Sequence, residues 1–167
     1  MNNMNKKTWI WGLVVLSVIV AGFYFMNNSA SGFQTVGAYE GDITVYKSQS
    51  CGCCGIYSQY FKSNGNSNTK VVNLEELNTL KKSLGVPSDL QSCHTTVLKS
   101  SSGREYFVEG HIPLEAVEKL LNEQPDIKGI AMPGMPEGSP GMPGNQRAPF
   151  VIYAVNNDGS SSEFMRI

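Results

Sequence analysis

Hydrophobic and polar positions along the chain follow two periods, one typical of strands and one typical of helices. Residues 43–46, 70–73, 95–98 and 105–108 are short runs rich in β-branched and aromatic residues, which predict four strands. Apolar residues at three- and four-residue spacing predict three helices between and after them. Those positions are Ile56, Tyr57, Tyr60 and Phe61, then Leu74, Leu77, Leu80 and Leu84, then Leu114, Val117, Leu120 and Leu121.

Turn and capping residues separate these predicted elements. Gly65 and Gly85 end the first two helices, residues 100–103 form a hairpin turn, and Pro113 begins the third helix. The resulting order, β-α-β-α-β-β-α, is that of a thioredoxin-like domain. We therefore predict an α/β fold, with one domain over residues 42–167.

A segment of unusual composition follows the third helix. Residues 129–149, GIAMPGMPEGSPGMPGNQRAP, are rich in Gly, Pro and Met and predict an irregular loop on the surface. Residues 150–155 then predict a strand, and residues 163–167 predict a second strand that pairs back on it.

The N-terminus carries the pattern of an export signal. Residues 9–26 form an uncharged apolar run of 18 residues, which as a helix extends roughly 27 Å, close to the hydrocarbon thickness of a bilayer. Lys6 and Lys7 precede it, and positive charges stay on the cytoplasmic side. Residues 1–26 are therefore predicted to be an uncleaved membrane anchor or a cleaved signal peptide, and residues 27–41 a flexible stem. Both alternatives put the following domain in the periplasm or at the outer face of the inner membrane.

Composition and charge indicate which kind of partner, a nucleic acid or a small cation, suits this chain. Apolar residues make up 41% of the chain and charged residues 16%, with a net charge of −1. Lys6 and Lys7 are the only basic residues before residue 31, so the rest has 11 basic against 14 acidic residues. No basic patch stands out, and nucleic acid is therefore not expected as a partner. A mildly acidic domain suits a small cation better.

Four cysteines, Cys51, Cys53, Cys54 and Cys93, are the main candidates for chemistry. In an oxidising compartment, four cysteines commonly form two disulfides. A bond between Cys53 and Cys54 is disfavoured, because neighbouring Cα atoms lie about 3.8 Å apart and a disulfide usually spans about 4.4–6.8 Å. A Cys51–Cys54 bond together with a Cys53–Cys93 bond is the least strained disulfide alternative.

The predicted positions of these cysteines favour a metal site instead. Cys51, Cys53 and Cys54 lie at the start of the first helix, where free backbone N–H groups and the helix dipole favour thiolate over thiol. In a thioredoxin-like domain the segment entering the third strand lies against this helix start, and redox members carry a cis-proline there. This chain has Cys93-His94 at that point, so four sulfurs and an imidazole are predicted to meet. Soft thiolates select Cu(I), Zn(II) or iron–sulfur centres. Cu(I) accepts few ligands and bridging sulfurs, so such a site can hold more than one Cu(I).

Histidines and methionines supply further candidate ligands. His94 follows directly on the fourth cysteine, and His111 precedes the third helix, where a hydrogen bond to the backbone is its alternative role. Met132, Met135 and Met142 lie in the Gly/Pro/Met-rich run, and their thioethers suit Cu(I) or Ag(I). Packing of an irregular loop is the alternative role of these methionines.

The chain resembles a known family in four stretches, VYKSQSCGCCGIY, LGVPSDLQSCHTTV, VEGHIP and GIAMPGMPEGSPGMPG. The family is that of the CopG-like proteins, which handle copper in the bacterial periplasm and were long classed as a domain of unknown function. The resemblance spans roughly residues 42–155, and the pairing of a CxCC loop with a downstream Ser-Cys-His is specific. It implies a thioredoxin-like fold, a role in copper resistance and copper binding by the matching positions, Cys51, Cys53, Cys54 and Cys93.

Three functions are consistent with these residues. The leading hypothesis is a binding protein that holds Cu(I) for resistance, sequestration or transfer to other periplasmic copper-handling proteins, with Ag(I) and Zn(II) as less favoured ions. Redox chemistry on copper is compatible with it. The alternative is an enzyme, a thiol–disulfide oxidoreductase that uses Cys51 and Cys54. A structural zinc site with four thiolates is the third hypothesis, but such sites usually show two C-x-x-C arms.

Overall fold

A seven-stranded mixed sheet organises residues 32–167. The computed structural model describes residues 15–17, which are helical, and residues 32–167. The strands are β1 (Asp42–Lys47), β2 (Lys70–Asn73), β3 (His94–Lys99), β4 (Glu105–Glu109), β5 (Ile127–Ala131), β6 (Val151–Asn156) and β7 (Ser161–Arg166). The helices are α1 (Gln34–Gly37), α2 (Gly52–Asn64), α3 (Leu77–Leu84) and α4 (Leu114–Glu123), with a 3-10 helix at Ser88–Leu90.

The strand directions bring several strand ends to one edge of the sheet. The strand order is β2-β1-β3-β4-β5-β6-β7. β1 is parallel to β2 and antiparallel to β3, and β4 is antiparallel to β3 and parallel to β5. In register, Lys47 pairs with His94, and Glu109 pairs with both Thr95 and Ala131. The carboxyl ends of β1, β4 and β5 therefore lie beside the amino end of β3.

Hydrophobic residues cover both faces of the sheet. Alternate residues of β4 point to opposite faces, so Tyr106 and Val108 enter the main core while Phe107 enters a smaller cluster. α2 and α4 supply the main core, with Tyr57, Phe61, Leu114 and Leu120 among its buried residues. The smaller cluster on the other face contains Val86, Leu90, Phe107, Ala131 and Val155, with Leu84 of α3 packed against it. The fold is a mixed α/β fold, as predicted.

Several predicted elements need correction. The second predicted helix is α3, which begins at Leu77 rather than at residue 74, and its buried residue is Lys81. Ile56, predicted on the apolar side of α2, is 61% exposed. β5 was not predicted, and its residues 129–131 were expected to start the irregular loop. These differences share one cause: tertiary packing decides which face of a short helix is buried and which short apolar run pairs into a sheet.

The structure describes only part of the N-terminal region, for which an anchor or signal segment and a stem were predicted. The range predicted as a stem contains α1, whose Val36 is fully buried in the main core. The predicted anchor or signal segment lies outside the described residues, apart from residues 15–17. None of the helices in the described part of the chain has the length and apolar character that crossing a bilayer requires.

Candidate metal centre

All four cysteines lie at the sheet edge where the strand ends meet. Residues 48–50 connect β1 to α2, and the Cys51 N–H donates to the Ser48 carbonyl oxygen in this turn. Cys51 is the N-cap of α2, and its Sγ accepts a hydrogen bond from the Cys54 N–H at 3.4 Å. Cys93 immediately precedes β3. The local chain path therefore puts three sulfurs on the first turn of one helix and the fourth across from them.

The four sulfur atoms form a compact group. The Sγ atoms of Cys51, Cys53, Cys54 and Cys93 all lie within 4.8 Å of one another. Cys51 and Cys54 are joined by a disulfide, with their Cα atoms 5.4 Å apart. Cys53 and Cys93 are free thiols, so only one bond of the two-disulfide alternative is present. Cys53 Sγ lies 3.5 Å from Cys51 Sγ.

Two buried histidines form a second donor group around Cys93. His94 Nδ1 lies 3.4 Å and His111 Nε2 lies 3.0 Å from Cys93 Sγ. The ligand atoms of Cys54, Cys93, His94 and His111 also lie within 4.8 Å of one another. The two imidazole rings are nearly perpendicular, with centroids 4.7 Å apart. Cys54 and Cys93 thus belong to both donor groups.

Burial sets the protonation of this centre. Burial lowers the pKa of His94 well below its usual value, and the neighbouring His111 lowers it further. Burial also lowers the pKa of His111. Burial raises the pKa of the Cys93 thiol to about 11, and the adjacent Cys53 adds to that rise. Near neutral pH the imidazoles are therefore neutral and have lone pairs available, while a metal ion must displace the Cys93 proton.

Tyr57 forms the inner wall of the centre. Its ring centroid lies 4.3 Å from that of His94 and 5.6 Å from that of His111. Its hydroxyl donates to the Ile112 carbonyl oxygen at 3.0 Å. The side chain is fully buried in the main core. Tyr57 therefore closes the centre on the core side and restricts both imidazole rings.

A buried ion pair fixes the segment that carries Cys93. Lys81 of α3 and Glu109 of β4 are 2% and 0% exposed and form a short salt bridge. Lys81 Nζ also donates to the Ser92 carbonyl oxygen at 2.8 Å. Glu109 accepts hydrogen bonds from the Ser92 N–H at 2.7 Å and from the Thr95 hydroxyl at 2.6 Å. Both backbone polar groups of Ser92 are thus held by charged side chains next to Cys93.

The Met-bearing loop lies against the cysteine-bearing helix. The Pro140 carbonyl oxygen lies 2.7 Å from His111 Nδ1. Gly141 has a φ of +84° and sits so close to α2 that a Cβ would lie 2.9 Å from the Cys53 carbonyl oxygen. Met132 is buried in the main core, and Met135 is 51% exposed. The packing role fits Met132, and a ligand role for either methionine stays a prediction.

The sequence pattern identified most of the residues that meet here. All four predicted cysteines lie together, and both predicted histidines adjoin them. Tyr57, Lys81 and Glu109 were missed as parts of the centre. Lysine and glutamate are usually exposed, so neither Lys81 nor Glu109 gave a signal of burial in the sequence.

The donor set fits a soft metal ion. A metal–sulfur bond is about 2.3 Å long, so two sulfurs on opposite sides of one ion lie about 4.6 Å apart. The four sulfurs of this centre lie within 4.8 Å of one another, so small movements can bring them around one ion. Thiolate and imidazole ligands favour copper or zinc over magnesium or calcium. The four sulfurs can therefore hold a soft ion together once the Cys51–Cys54 disulfide is reduced.

Comparisons with known proteins agree with this chemistry. Residues 90–142 match the family described as "Protein of unknown function, DUF411". A solved structure named "Copper resistance protein copG- Form 2" is 33% identical, with a TM-score of 0.67 over 75% of this chain and 97% of that one. The structure named "Copper resistance protein copG- Form 1" is 34% identical, with a TM-score of 0.64 over 77% and 98%. No curated protein sequence gives a significant match. The chain belongs to the CopG-like family of copper-handling proteins.

Proposed function

We propose that this chain holds Cu(I) on the thiolates of Cys51, Cys53, Cys54 and Cys93 as part of copper resistance. The observation that carries the proposal is the convergence of four sulfurs within 4.8 Å of one another. Thiolates are soft ligands and select Cu(I) over hard cations. The two similar solved structures are named copper resistance proteins, which supports copper as the metal.

The redox state of the cysteines controls the capacity of this site. The thiolate is the form that binds metal, so loading of all four sulfurs requires reduction of the Cys51–Cys54 disulfide. The four sulfurs can then bridge more than one Cu(I). Ag(I) has the same preference for sulfur and is a second ion of the same class, while Zn(II) is less favoured.

The surrounding fold and its location belong to the same proposal. The order β1-α2-β2-α3-β3-β4-α4 and the neighbouring strands β2-β1-β3-β4 support a thioredoxin-like core in residues 42–167. The apolar run with preceding lysines supports an anchor or signal at residues 1–26, followed by a stem that ends before α1. The domain then works in the periplasm, where it receives copper from or passes copper to other copper-handling proteins.

The oxidoreductase alternative is less favoured. A dithiol enzyme needs two sulfurs, and Cys51 and Cys54 form such a pair. Two further sulfurs lie within 4.8 Å of both sulfurs of that pair, and two imidazoles lie within 4.8 Å of the Cys54 sulfur. A dithiol exchange reaction has no use for these donors. These extra donors favour metal binding.

Copper binding is proposed to use all four cysteines, whereas thiol exchange would use only Cys51 and Cys54. A change at Cys93 therefore distinguishes the two functions. The full-length protein is reduced, and its Cu(I) affinity is measured against a competing chelator. Cys93→Ser should lower that affinity by about 100-fold or more, because loss of even a supporting contact costs about 10–100-fold. Insulin reduction should be slow in the wild type and unchanged by Cys93→Ser. Unchanged copper affinity in the variant, or efficient insulin reduction without copper retention by the wild type, contradicts the proposal.

A further inference from the structure

The imidazole of His111 is oriented by a backbone carbonyl group. His111 Nδ1 lies 2.7 Å from the Pro140 carbonyl oxygen, which can only accept a hydrogen bond. The ring proton is therefore assigned to Nδ1, and Nε2 has the lone pair. That lone pair faces Cys93 Sγ at 3.0 Å. Metal-ligating histidines are usually held in this way, by a hydrogen bond from the other ring nitrogen.

His94 has the opposite hydrogen-bond pattern. Its Nε2 is buried and has no hydrogen-bond partner among the described residues. A proton on that atom would be a buried donor without an acceptor, which is unfavourable. The proton is therefore assigned to Nδ1, which can donate to Cys93 Sγ at 3.4 Å. This hydrogen bond favours the thiolate form of Cys93, which a metal ion needs. His94 then has no lone pair directed at an ion bound to that sulfur.

The disulfide removes two sulfurs from metal binding but not the sulfur beside the histidines. With Cys51 and Cys54 joined, Cys53 and Cys93 are the free thiols. Cys93 is the one in contact with an imidazole lone pair. A thiolate and an imidazole therefore stay available to a metal ion when the four-sulfur site is oxidised.

We propose that Cys93 Sγ and His111 Nε2 form a second site, which holds one soft monovalent ion, Cu(I) or Ag(I), while Cys51 and Cys54 are joined. The inference rests on the proposed function, since it assigns the same class of ion to the same edge of the sheet. On binding, the Cys93 S–H bond breaks and its proton passes to water. The sulfur and the His111 nitrogen each donate a lone pair to the ion, and no electron is transferred.

The two donor atoms must move apart to accept an ion. Bonds of about 2.3 Å to sulfur and about 2.05 Å to nitrogen, the lengths typical of zinc, put the two atoms about 3.6 Å apart at a tetrahedral ion and about 4.4 Å apart at a linear one. The observed separation is 3.0 Å, which suits the S–H···N hydrogen bond of the metal-free state. Cys53 Sγ lies within 4.8 Å of Cys93 Sγ and is the nearest free thiol that can add a third ligand.

The test uses Ag(I), which is not a reductant for the disulfide. The full-length protein is prepared without reductant, and alkylation with mass spectrometry verifies two free thiols. Ag(I) is added with a competing chelator, and retained silver is counted after dialysis. We expect one Ag(I) per chain in the disulfide form and more in the reduced form. Normal loading of the reduced form with none in the disulfide form overturns this inference alone. Loss of loading in both forms overturns the proposed function as well.

Two histidine variants distinguish a ligand from a hydrogen-bond donor. In the disulfide form, His111→Gln should lower Ag(I) affinity by more than about 100-fold, and His94→Gln by about 10- to 100-fold, the cost of losing a supporting hydrogen bond. Reduced His111→Gln should still load the four sulfurs, which verifies that this variant is folded. An equal loss in both variants, or a larger loss in His94→Gln, overturns the assignment.

The tautomers can be tested in the wild-type protein without a variant. Nitrogen-15 NMR of the metal-free disulfide form should show His111 with its proton on Nδ1 and a pyridine-type signal for Nε2. One equivalent of Ag(I) should shift that Nε2 signal strongly and leave the His94 nitrogen signals less changed. A proton on His111 Nε2 in the metal-free protein, or an unshifted Nε2 signal with Ag(I), overturns the inference.

Discussion

Cys93 shares with Cys54 a place in both the sulfur group and the imidazole group of donors, and its sulfur contacts both imidazoles. Its sulfur belongs to both donor groups, whereas Cys51 and Cys53 belong only to the sulfur group. Its position depends on the preceding residue, Ser92, whose backbone N–H and carbonyl oxygen are bound by Glu109 and Lys81. The geometry of the metal centre therefore depends on two charged side chains that lie on α3 and β4, outside the cysteine-bearing helix.

Removal of one charge from the buried pair should be strongly destabilising. We predict that Glu109→Gln lowers the free energy of unfolding by about 3–5 kcal/mol, because Lys81 is left as a buried charge without a full counter-charge. Urea unfolding of the metal-free protein, followed by circular dichroism, measures this change.

An exposed ion pair supplies the control for this variant. Lys119 and Glu123 form a salt bridge one turn apart on α4, and both are partly exposed. Glu123→Gln should change the free energy of unfolding by less than about 1 kcal/mol, because solvent screens such pairs. Equal effects of Glu109→Gln and Glu123→Gln would show that the buried pair contributes no more than a surface pair.

At the scale of elements, the Gly/Pro/Met-rich loop is packed against the amino end of α2. Gly141 makes the closest approach, since a Cβ there would lie 2.8 Å from the Tyr57 nitrogen and 2.9 Å from the Cys53 carbonyl oxygen. The adjacent Pro140 carbonyl oxygen accepts a hydrogen bond from His111. The loop therefore connects the cysteine helix to the histidine after β4.

Alanine at Gly141 should separate the loop from α2. Both Gly141 and Gly134 have a positive φ, but at Gly134 a Cβ has no described atom within 4 Å. We predict that Gly134→Ala costs about 1–2 kcal/mol from backbone strain alone. Gly141→Ala should cost about 1–3 kcal/mol more, because the methyl group overpacks the contact. Thermal unfolding of the two variants gives the comparison, and equal costs would contradict a tight contact at Gly141.

One carboxylate of α4 binds two backbone N–H groups of α1. Glu118 accepts hydrogen bonds from the Thr35 N–H at 2.8 Å and the Val36 N–H at 2.9 Å. Burial raises the pKa of Glu118, but these hydrogen bonds lower it more, so the pKa lies below its ordinary value of 4.5. A lowered pKa means that this stabilisation is complete above pH 4.5 and is lost as the pH falls through the folded-state pKa.

Glu118→Gln should loosen α1 and remove this pH dependence. We predict that hydrogen exchange of the Val36 amide becomes about tenfold faster at pH 6, because its charged acceptor is lost. The wild-type protein should lose melting temperature between pH 5 and pH 3 more steeply than the variant. Glu115→Gln, an exposed change in the same helix, is the matched control and should behave as the wild type. The same acid response in Glu118→Gln as in the wild type would contradict this role.

At the scale of the whole molecule, the main core and the metal centre share residues but carry different functions. Tyr57 belongs to the core and also contacts both imidazoles, whereas Leu120 is buried on α4 with no part in the centre. A loss of packing at Leu120 should therefore affect stability without changing the donor set.

Leu120→Ala tests this separation. We predict a loss of about 2–5 kcal/mol in the free energy of unfolding, from lost burial and the cavity left behind. The number of Ag(I) ions bound by the folded, reduced protein should stay that of the wild type. Ile56→Ala, at a 61% exposed position, should change stability by less than about 0.5 kcal/mol. A fall in metal loading of folded Leu120→Ala would show that core packing reaches the centre.

Local patterns in the sequence predicted most of the fold. The runs that became β1, β3 and β4 and the helices α2 and α4 carry strong periodicity and clear boundary residues, and the structure has them in the predicted order. β5 was not predicted, because its strand state depends on β4 and β6 beside it. The burial of Lys81 was not predicted either, because an acceptor 28 residues away in sequence compensates the charge.

The sequence by itself determined the kind of chemistry, since the spacing of Cys51, Cys53 and Cys54 puts three sulfurs on one helix start and thiolates select soft metals. Only the tertiary structure decided which residues surround Cys93. Strand register brought His111 to its sulfur, and the loop carbonyl of Pro140 oriented that ring. The reason is physical: spacing fixes contacts within an element, whereas contacts between elements depend on sheet pairing and on packing across long separations in sequence.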